Sequence, residues 1–460
     1  MITINTTLIS DYKKFLDNGK TERECVTQIV SIAEANGYKN IDKCKTLKKG
    51  DKVYITKMGK AVALFQIGSG KLEDGLNILG AHIDSPRLDV KQKPLYEKDT
   101  ITYLNTHYYG GIKKYQWLTI PLAIHGVVVK KDGTTVNVSI GEKDTDPVFC
   151  ITDILPHLAQ DQYKKNAAEF IPGEDLDLVV GNYGRSNIQF DMKGKKETTK
   201  ASDIPEKELS KTRIVELLKK TCNFTEKDFE SAELEIVPAG HARDNGLDRS
   251  MILAYGQDDR SCAYTSFAAL MDTTAKERTT CCLCVDKEEI GSAGATGMAS
   301  NLFENMVAEI VSRTEKNYSE LTLRRCLANS NMLSSDVNAA FDPLHPGLYD
   351  RDNSSWLGGG IVFQKYTGAR GKSGASDANP EFIAKVCSAL DKKNIIYQMA
   401  ELGKVDQGGG GTIAHYAARY GMNVLDAGVA VLSMHAPWEL TSKVDICQAY
   451  EAYKAFLTIK

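Results

Sequence analysis

Glu288 and Glu289 stand side by side in Val285-Asp286-Lys287-Glu288-Glu289-Ile290-Gly291-Ser292, where an apolar run from Cys281 to Val285 meets a Gly/Ala-rich segment, Gly291 to Gly297. Neighbouring carboxylates at the end of a buried strand can divide labour. One binds a cation, and the other, close but unliganded, takes a proton from water. Alone, such a pair is equally a solvated acidic turn. Four companions change its weight: His82-Ile83-Asp84, Asp258-Asp259-Arg260, Asp336 in Ser334-Ser335-Asp336, and His435 in Ser433-Met434-His435. Each falls at an expected strand end or turn and carries a potential metal ligand. A lone histidine after a strand is usually an ordinary core or surface residue. An aspartate two residues on, like Asp84, can orient the imidazole of His82. Asp-Asp-Arg also reads as a helix cap. The five sites together, in an α/β framework, point to a metal centre.

The elements that must position these residues can be read from periodicity. Thr21-Glu22-Arg23-Glu24 is a capping box before a helix ending near Gly37, and a shorter helix near Ile9 to Leu16 precedes it. Val53 to Ile67 reads as strands around a turn at Gly59, and Asn77 to Ala81 as a strand leading into His82. The apolar run before Glu288 reads as a buried strand, and Gly291 to Gly297 as the opening of a helix. Beyond Leu234 to Val237, helical runs near Arg260–Met271, Thr296–Ser312, Pro380–Leu390, Thr412–Arg419 and Lys443–Phe456 alternate with strand-like runs near Cys281–Val285, Ile361–Phe363, Ile395–Met399 and Val429–Met434. That alternation predicts a doubly wound, mostly parallel sheet with helices on both faces. From Tyr96 to Pro238 the texture differs. Lys131-Asp132-Gly133 joins two strands, Leu122–Val129 and Thr135–Ile140, as a hairpin. A helix is expected near Asp153 to Asp161, and Asp191 to Ser210 reads as a solvated loop. The expected organisation is a discontinuous catalytic domain, 1–95 and 239–460, interrupted by a smaller, mainly β domain at 96–238.

Composition narrows the partners. The chain has 460 residues, 42% hydrophobic and 25% charged, as in an ordinary globular protein long enough for two cores. A formal charge of −3 gives no reason to expect nucleic acid or an anionic membrane. The first residues, Met1 to Asn5, carry no secretory pattern, and no run approaches a membrane span. Eleven cysteines without framework spacing suggest reduced thiols, hence a cytoplasmic protein. Cys281 and Cys284 form a C-x-x-C, read as small hydrophobes on a buried strand.

Gly80-Ala81-His82-Ile83-Asp84-Ser85-Pro86-Arg87-Leu88, Asp258-Asp259-Arg260, Glu288-Glu289-Ile290-Gly291, Ser335-Asp336 and Ser433-Met434-His435, in this order, resemble the aspartyl aminopeptidase family of dinuclear metallo-aminopeptidases. Tyr109-Gly110-Gly111 followed by Trp117 matches a further segment, at the start of that family's inserted domain. The resemblance covers nearly the whole chain. It implies a zinc-peptidase-like catalytic domain with an inserted dimerisation domain. It implies that His82 and Glu289 are terminal ligands of different metals, that Asp258 bridges them, and that Asp336 and His435 complete the two sites. Glu288 would be the general base and Asp84 would orient His82. A cis peptide is implied at Asp258-Asp259. Carboxylates and imidazoles without thiolate suit zinc, with manganese or cobalt also possible. Two such cations about 3.5–4 Å apart lower the pKa of a shared water and polarise a scissile carbonyl.

The resemblance further implies homo-oligomers, dimers assembling to a tetrahedral dodecamer, in which a histidine of the inserted domain reaches a neighbouring subunit's site. His157, in Leu155-Pro156-His157-Leu158, is the match. Acid-preferring members place a lysine in the pocket for the N-terminal residue, and Lys365 stands at the corresponding place, although Tyr366 to Ser376 is richer in Gly, Lys and Arg than the family pattern. Gly411 and Thr412, at the end of Gly408 to Thr412, match a substrate-lining glycine loop, with four consecutive glycines where the family has fewer. The substrates implied are peptides with a free N-terminus. Two other readings stay open on the residues alone. A metal-dependent amidase or deacetylase could use the same scaffold. A nucleotide-binding oxidoreductase could use Gly291 to Gly297 as its loop, but the glycine spacing is wrong for it.

Overall fold

The strand Leu76–His82 is mostly apolar and is buried along its whole length, which suits the middle of a sheet covered on both faces. In the computed structural model, which describes residues 3–182, 188–198, 209–368 and 370–460, it does lie there. The chain divides into two compact units: Met1–Ser85 with Ala242–Met434 and Trp438–Lys460, and Pro86–His241 with His435–Pro437.

Among the described residues, the first unit holds a nine-stranded sheet in the order Lys39–Asn40, Lys52–Lys57, Ala61–Gln66, Thr279–Val285, Leu76–His82, Asn331–Ser334, Asn423–Gly428, Ile361–Gln364, Tyr397–Met399. Thr279–Val285 through Asn423–Gly428 run parallel. Ala61–Gln66 and Ile361–Gln364 join them antiparallel, so the sheet is mixed with a parallel centre. Alternate residues go to opposite cores. Leu79, Ala81, Cys282, Cys284, Leu333 and Leu425 share one with the helices Thr6–Asn18, Glu22–Ala35, Gln257–Met271, Pro380–Asp391 and Lys443–Leu457. Ile78, Cys281, Leu283, Val285, Met332 and Val424 share the other with Leu302–Thr314, Glu320–Ala328 and Ala414–Ala418. The period-2 alternation of a strand thus feeds two helical layers. A five-stranded sheet, Arg243–Asn245, Met251–Ala254, Glu439–Ser442, Ala430–Leu432, Asn338–Ala339, was not anticipated. The run Val429 to Met434, read as one strand of the main sheet, lies in this second sheet instead, because the chain leaves the main sheet at Gly428. A Cβ there would lie 1.8 Å from the Asp336 carbonyl oxygen.

The second unit is antiparallel. Among its described residues a six-stranded sheet runs Thr135–Ile140, Leu122–Val129, Ala232–Pro238, Arg87–Lys98, Ile101–Tyr109, Leu178–Asn182. The hairpin at Lys131-Asp132-Gly133 forms as expected. Arg87–Lys98 pairs with Ile101–Tyr109 and Ala232–Pro238, so this unit opens at Pro86, ahead of the expected Tyr96. The expected helix near Asp153 to Asp161 is broken into a 3-10 turn, Pro156–Leu158, and a short helix, Gln160–Tyr163. Pro156 holds Leu155 extended, at ψ 150°, so no helix can run through it. Of the expected loop Asp191 to Ser210, 199–208 lie outside the described residues. Lys196–Thr198 before them is a strand, and a helix, Leu209–Cys222, begins after them. All eleven cysteines are free thiols, and burial pushes that of Cys281 well up. Among the described residues no helix is long and apolar enough to cross a membrane.

Candidate metal centre and active site

Register aligns the site. In the parallel centre of the sheet His82 is the partner of Val285, and Gly80 of Ser334. The amide of Ile83 donates to Val285 O at 2.9 Å, and that of Ser335 to Gly80 O at 2.6 Å. Three chain segments therefore leave the sheet together at its carboxyl edge, carrying His82, the Glu288-Glu289 turn and Asp336. Open α/β sheets bind ligands at such edges. Asp258 comes from the start of the helix Gln257–Met271, where the Asp258-Asp259 peptide is cis. Gly256, before it, sits at φ 70°, and a Cβ there would lie 2.2 Å from the Arg260 guanidinium, so both its conformation and its space require glycine. The buried Arg260 donates to Ile83 O at 3.1 Å and Lys20 O at 3.0 Å, tying the helix start to the His82 loop.

The imidazole of His82 is the hub. Its Nε2 lies 3.2 Å from Asp258 Oδ1, 3.9 Å from Asp336 Oδ1 and 4.0 Å from Glu288 Oε2. On the other side its Nδ1 lies 3.3 Å from Asp84 Oδ1 and 3.1 Å from the Asp84 carbonyl oxygen. Asp84 is fully buried and also accepts the Glu288 amide at 3.1 Å and the Glu289 amide at 3.2 Å. One carboxylate thus fixes both the ring and the acidic turn. Within the first unit, among the described residues, ligand atoms of His82, Asp258 and Glu289 lie within 4.8 Å of one another, as do those of His82, Asp259 and Asp336. The crowding shows in the protonation equilibria. Burial alone would lower the pKa of His82, but the Asp258 and Asp84 carboxylates, with Glu288 nearby, hold it well above its usual value. Burial first, then the charges of Asp259, Glu288 and Asp258, push Asp336 well up, against His82. Hard, mutually repelling oxygens converging on one imidazole are a donor set that fits divalent cations.

The remaining expected residues are placed as follows. Glu288 and Glu289 are partly exposed on a 3-10 turn, Glu288–Ile290. The segment Gly291 to Gly297, expected to open a helix, is a loop, and the helix starts only at Leu302. Gly291 and Gly294 at φ 89° and 108°, with the Asp286 amide bonded to Thr296 O, hold it in that form. Lys365 is exposed, just past the strand Ile361–Gln364. Thr412 donates to Asp426 Oδ1 at 2.6 Å. Burial pushes Asp426 up to about 6, against that bond and one from Ser334. Gly411 is exposed with open space around it. His157 and His435 belong to the second unit. His157 is exposed on its 3-10 turn, and His435 Nδ1 lies 2.8 Å from the Gly111 carbonyl oxygen. Asp259 carries no expected role beyond its place in the motif. Its burial, complete in the structure, has no signature in Asp258-Asp259-Arg260.

Donors aligned by neighbouring strand ends, with a solvent-reachable carboxylate beside them, equip a metal-dependent hydrolase. The chain belongs to the M18 peptidase family: the model for aminopeptidase I zinc metalloprotease (M18) matches residues 15–457. It is 56% identical to the probable M18 family aminopeptidase 1 of Clostridium acetobutylicum over 97% of this chain and 93% of that one. The crystal structure of an M18-family aminopeptidase from Thermotoga maritima superposes with a TM-score of 0.92 at 42% identity, covering 99% of this chain and 96% of that one. The S. cerevisiae mApe1 dodecamer shares the fold, with a TM-score of 0.75 at 20% identity over 97% and 95% of the two chains. The protein is accordingly a metallo-aminopeptidase, and the oxidoreductase reading falls away.

Proposed function

We propose that His82, Asp258, Asp336, Glu289 and His435 hold two divalent ions, zinc foremost, and that Glu288 is the general base of peptide-bond hydrolysis at free N-termini. The observation that carries this is the grip of Asp84 on the His82 ring and on both glutamate amides. It leaves Glu288 Oε2 4.0 Å from His82 Nε2, with a partly exposed carboxylate able to meet water. Bound cations would acidify a water, polarise the carbonyl and attract the substrate's α-amino group. Glu288 takes the proton from the attacking water and returns it to the leaving amine nitrogen. Asp84 keeps Nε2 of His82 facing the donors by holding Nδ1. Gln364 and Asp426 are register partners and Thr412 bonds Asp426, so Lys365, Gly411 and Thr412 gather at one strand end. We assign them to the substrate side, with Lys365 available to an acidic N-terminal residue.

The test is a peptide library with free and with acetylated N-termini, assayed with zinc, manganese and cobalt in turn. Turnover should be confined to free N-termini, vanish with a chelator and return with metal. Equal cleavage of blocked substrates would favour the amidase or deacetylase alternative.

We further infer a homo-oligomer, dimers assembling to a tetrahedral dodecamer in a reducing cytoplasm, in which the second unit joins subunits. Exposed Ile154, Leu155 and Leu158 flank the exposed His157, an apolar rim suited to a partner, and the eleven thiols are free. In this arrangement His157 donates to the developing oxyanion of a neighbouring site. His157→Ala should then lose roughly 10²–10³ in kcat while keeping its metals. Mixed with Glu288→Gln subunits it should regain activity, because some hybrid sites pair an intact Glu288 with an intact His157. No recovery in confirmed hybrids would place the whole site within one chain.

A further inference from the structure

One buried ion group in the first unit takes no part in the mechanism above, and it sits at the foot of the turn that carries Glu288. The strand Thr279–Val285 ends at Val285, and the next side chain, Asp286, is fully buried. Its Oδ2 accepts the Thr296 hydroxyl at 2.6 Å, and Lys60 Nζ lies 3.6 Å from the same oxygen. Lys60 is itself buried, and its Nζ lies 2.7 Å from Oε1 of Glu22, a fully buried residue at the start of the helix Glu22–Ala35. The main chain doubles the closure: the Asp286 amide donates to Thr296 O at 3.2 Å, and the Ser292 amide to Lys287 O at 2.7 Å.

Such a buried group adds little net stability, because desolvating its charges offsets their attraction. What it contributes is a single geometry, since Lys60 and Thr296 meet Asp286 together only when the turn closes in one way. The turn needs such a constraint. Lys287 and Ser292 stand at φ 69° and 59°, a region other side chains avoid, and Gly291 and Gly294 are left-handed too. Asp84 holds the amides of Glu288 and Glu289, while Asp286 and Thr296 join the chain on either side of them.

We propose that Lys60, Asp286 and Thr296 are positioning residues for the general base, locking the foot of the turn so that the Glu288 carboxylate stands in its working place. This rests on the assignment of Glu288 above. None of the three touches substrate. They act through backbone placement, and a misplacement of about 1 Å at a reacting group costs on the order of 10²-fold in rate.

The decisive variant is Thr296→Val, which removes one hydroxyl and changes no charge, so the fold should survive. It and Asp286→Asn should lower kcat about 10–100-fold, with KM within about twofold of wild type and metal content unchanged. Thr296→Ser should recover most of the kcat lost in Thr296→Val. Lys60→Met should follow the same pattern where it folds, although it takes one cation from beside two buried carboxylates. Wild-type kcat in Thr296→Val, with only a lower Tm, would make the group a structural feature and overturn the proposal. Stoichiometric metal loss would overturn it too, by moving the effect to the ligands. An active Glu288→Gln would instead sink the base assignment itself, so the two failures can be told apart.

Discussion

Glu288→Gln is expected to lose about 10²–10⁴-fold in kcat, or more, while binding its metals as the wild type does. Glutamine has the size and shape of glutamate, and its backbone amide still donates to Asp84, so the turn should keep its form. The side-chain amide cannot accept a proton from water at neutral pH. Glu289, one residue on, is held by the same aspartate, but its carboxylate clusters with His82 and Asp258, where we propose a metal ion is held. The two neighbours therefore make opposite predictions. Elemental analysis beside steady-state kinetics separates them: inactive and fully metallated for Glu288→Gln, metal-depleted for the equivalent change at Glu289. A near-normal kcat, or metal lost one for one, would exchange their roles.

The second large effect is expected at Asp258. Its Oδ1 lies 3.2 Å from His82 Nε2, its amide donates to Glu439 at 3.0 Å, and its carbonyl accepts the Ser85 hydroxyl at 2.8 Å. The main chain is thus held independently of the carboxylate, and Asp258→Asn should fold. A bridge between two cations needs two anionic oxygens, which an amide does not supply. Loss of an outer partner of a ligand already costs about 10–100-fold in metal affinity, and loss of a bridging ligand should cost at least that. After dialysis Asp258→Asn should hold fewer ions than wild type and show no turnover. Full activity of the wild type in a rigorously metal-free preparation would refute the metal centre as a whole.

Much of this was legible in the chain because burial on both faces writes long apolar runs. Thr279–Val285 and Leu76–His82 announced themselves in that way, and the ligand motifs follow them directly. The Glu22–Ala35 helix carried its own start signal, and its capping box is formed. What escaped depends on partners distant in sequence. Lys60 reads as a turn residue of a hairpin, and nothing nearby says that Glu22 and Asp286 will enclose it. Gly291 to Gly297 has the composition of a helix start, but the tertiary bond from Thr296 to Asp286 makes it a loop. The strand Arg87–Lys98 mixes buried and exposed positions with charges, and Ile101–Tyr109 alternates them with polar residues, so both lack the long apolar runs of the main sheet. Half-buried antiparallel strands give that weaker signal.

The discontinuity of the first unit bears on the order in which the molecule can be made. Strand Leu76–His82 finds its neighbours only in Thr279–Val285 and Asn331–Ser334, so the middle of its sheet joins segments on either side of the whole Pro86–His241 unit. A chain emerging from the ribosome presents the N-terminal strands first, then a contiguous antiparallel unit that can close on itself. The residues proposed as ligands begin at His82 and end at His435, so the set is whole only when nearly the entire chain has been synthesised. Pairings of such long range are slow to form and leave apolar edges exposed meanwhile. No nascent chain shorter than that can hold the complete ligand set, so a growing or truncated product carries no competent peptidase centre. A protease that acts on free N-termini is in this way silent throughout its own synthesis.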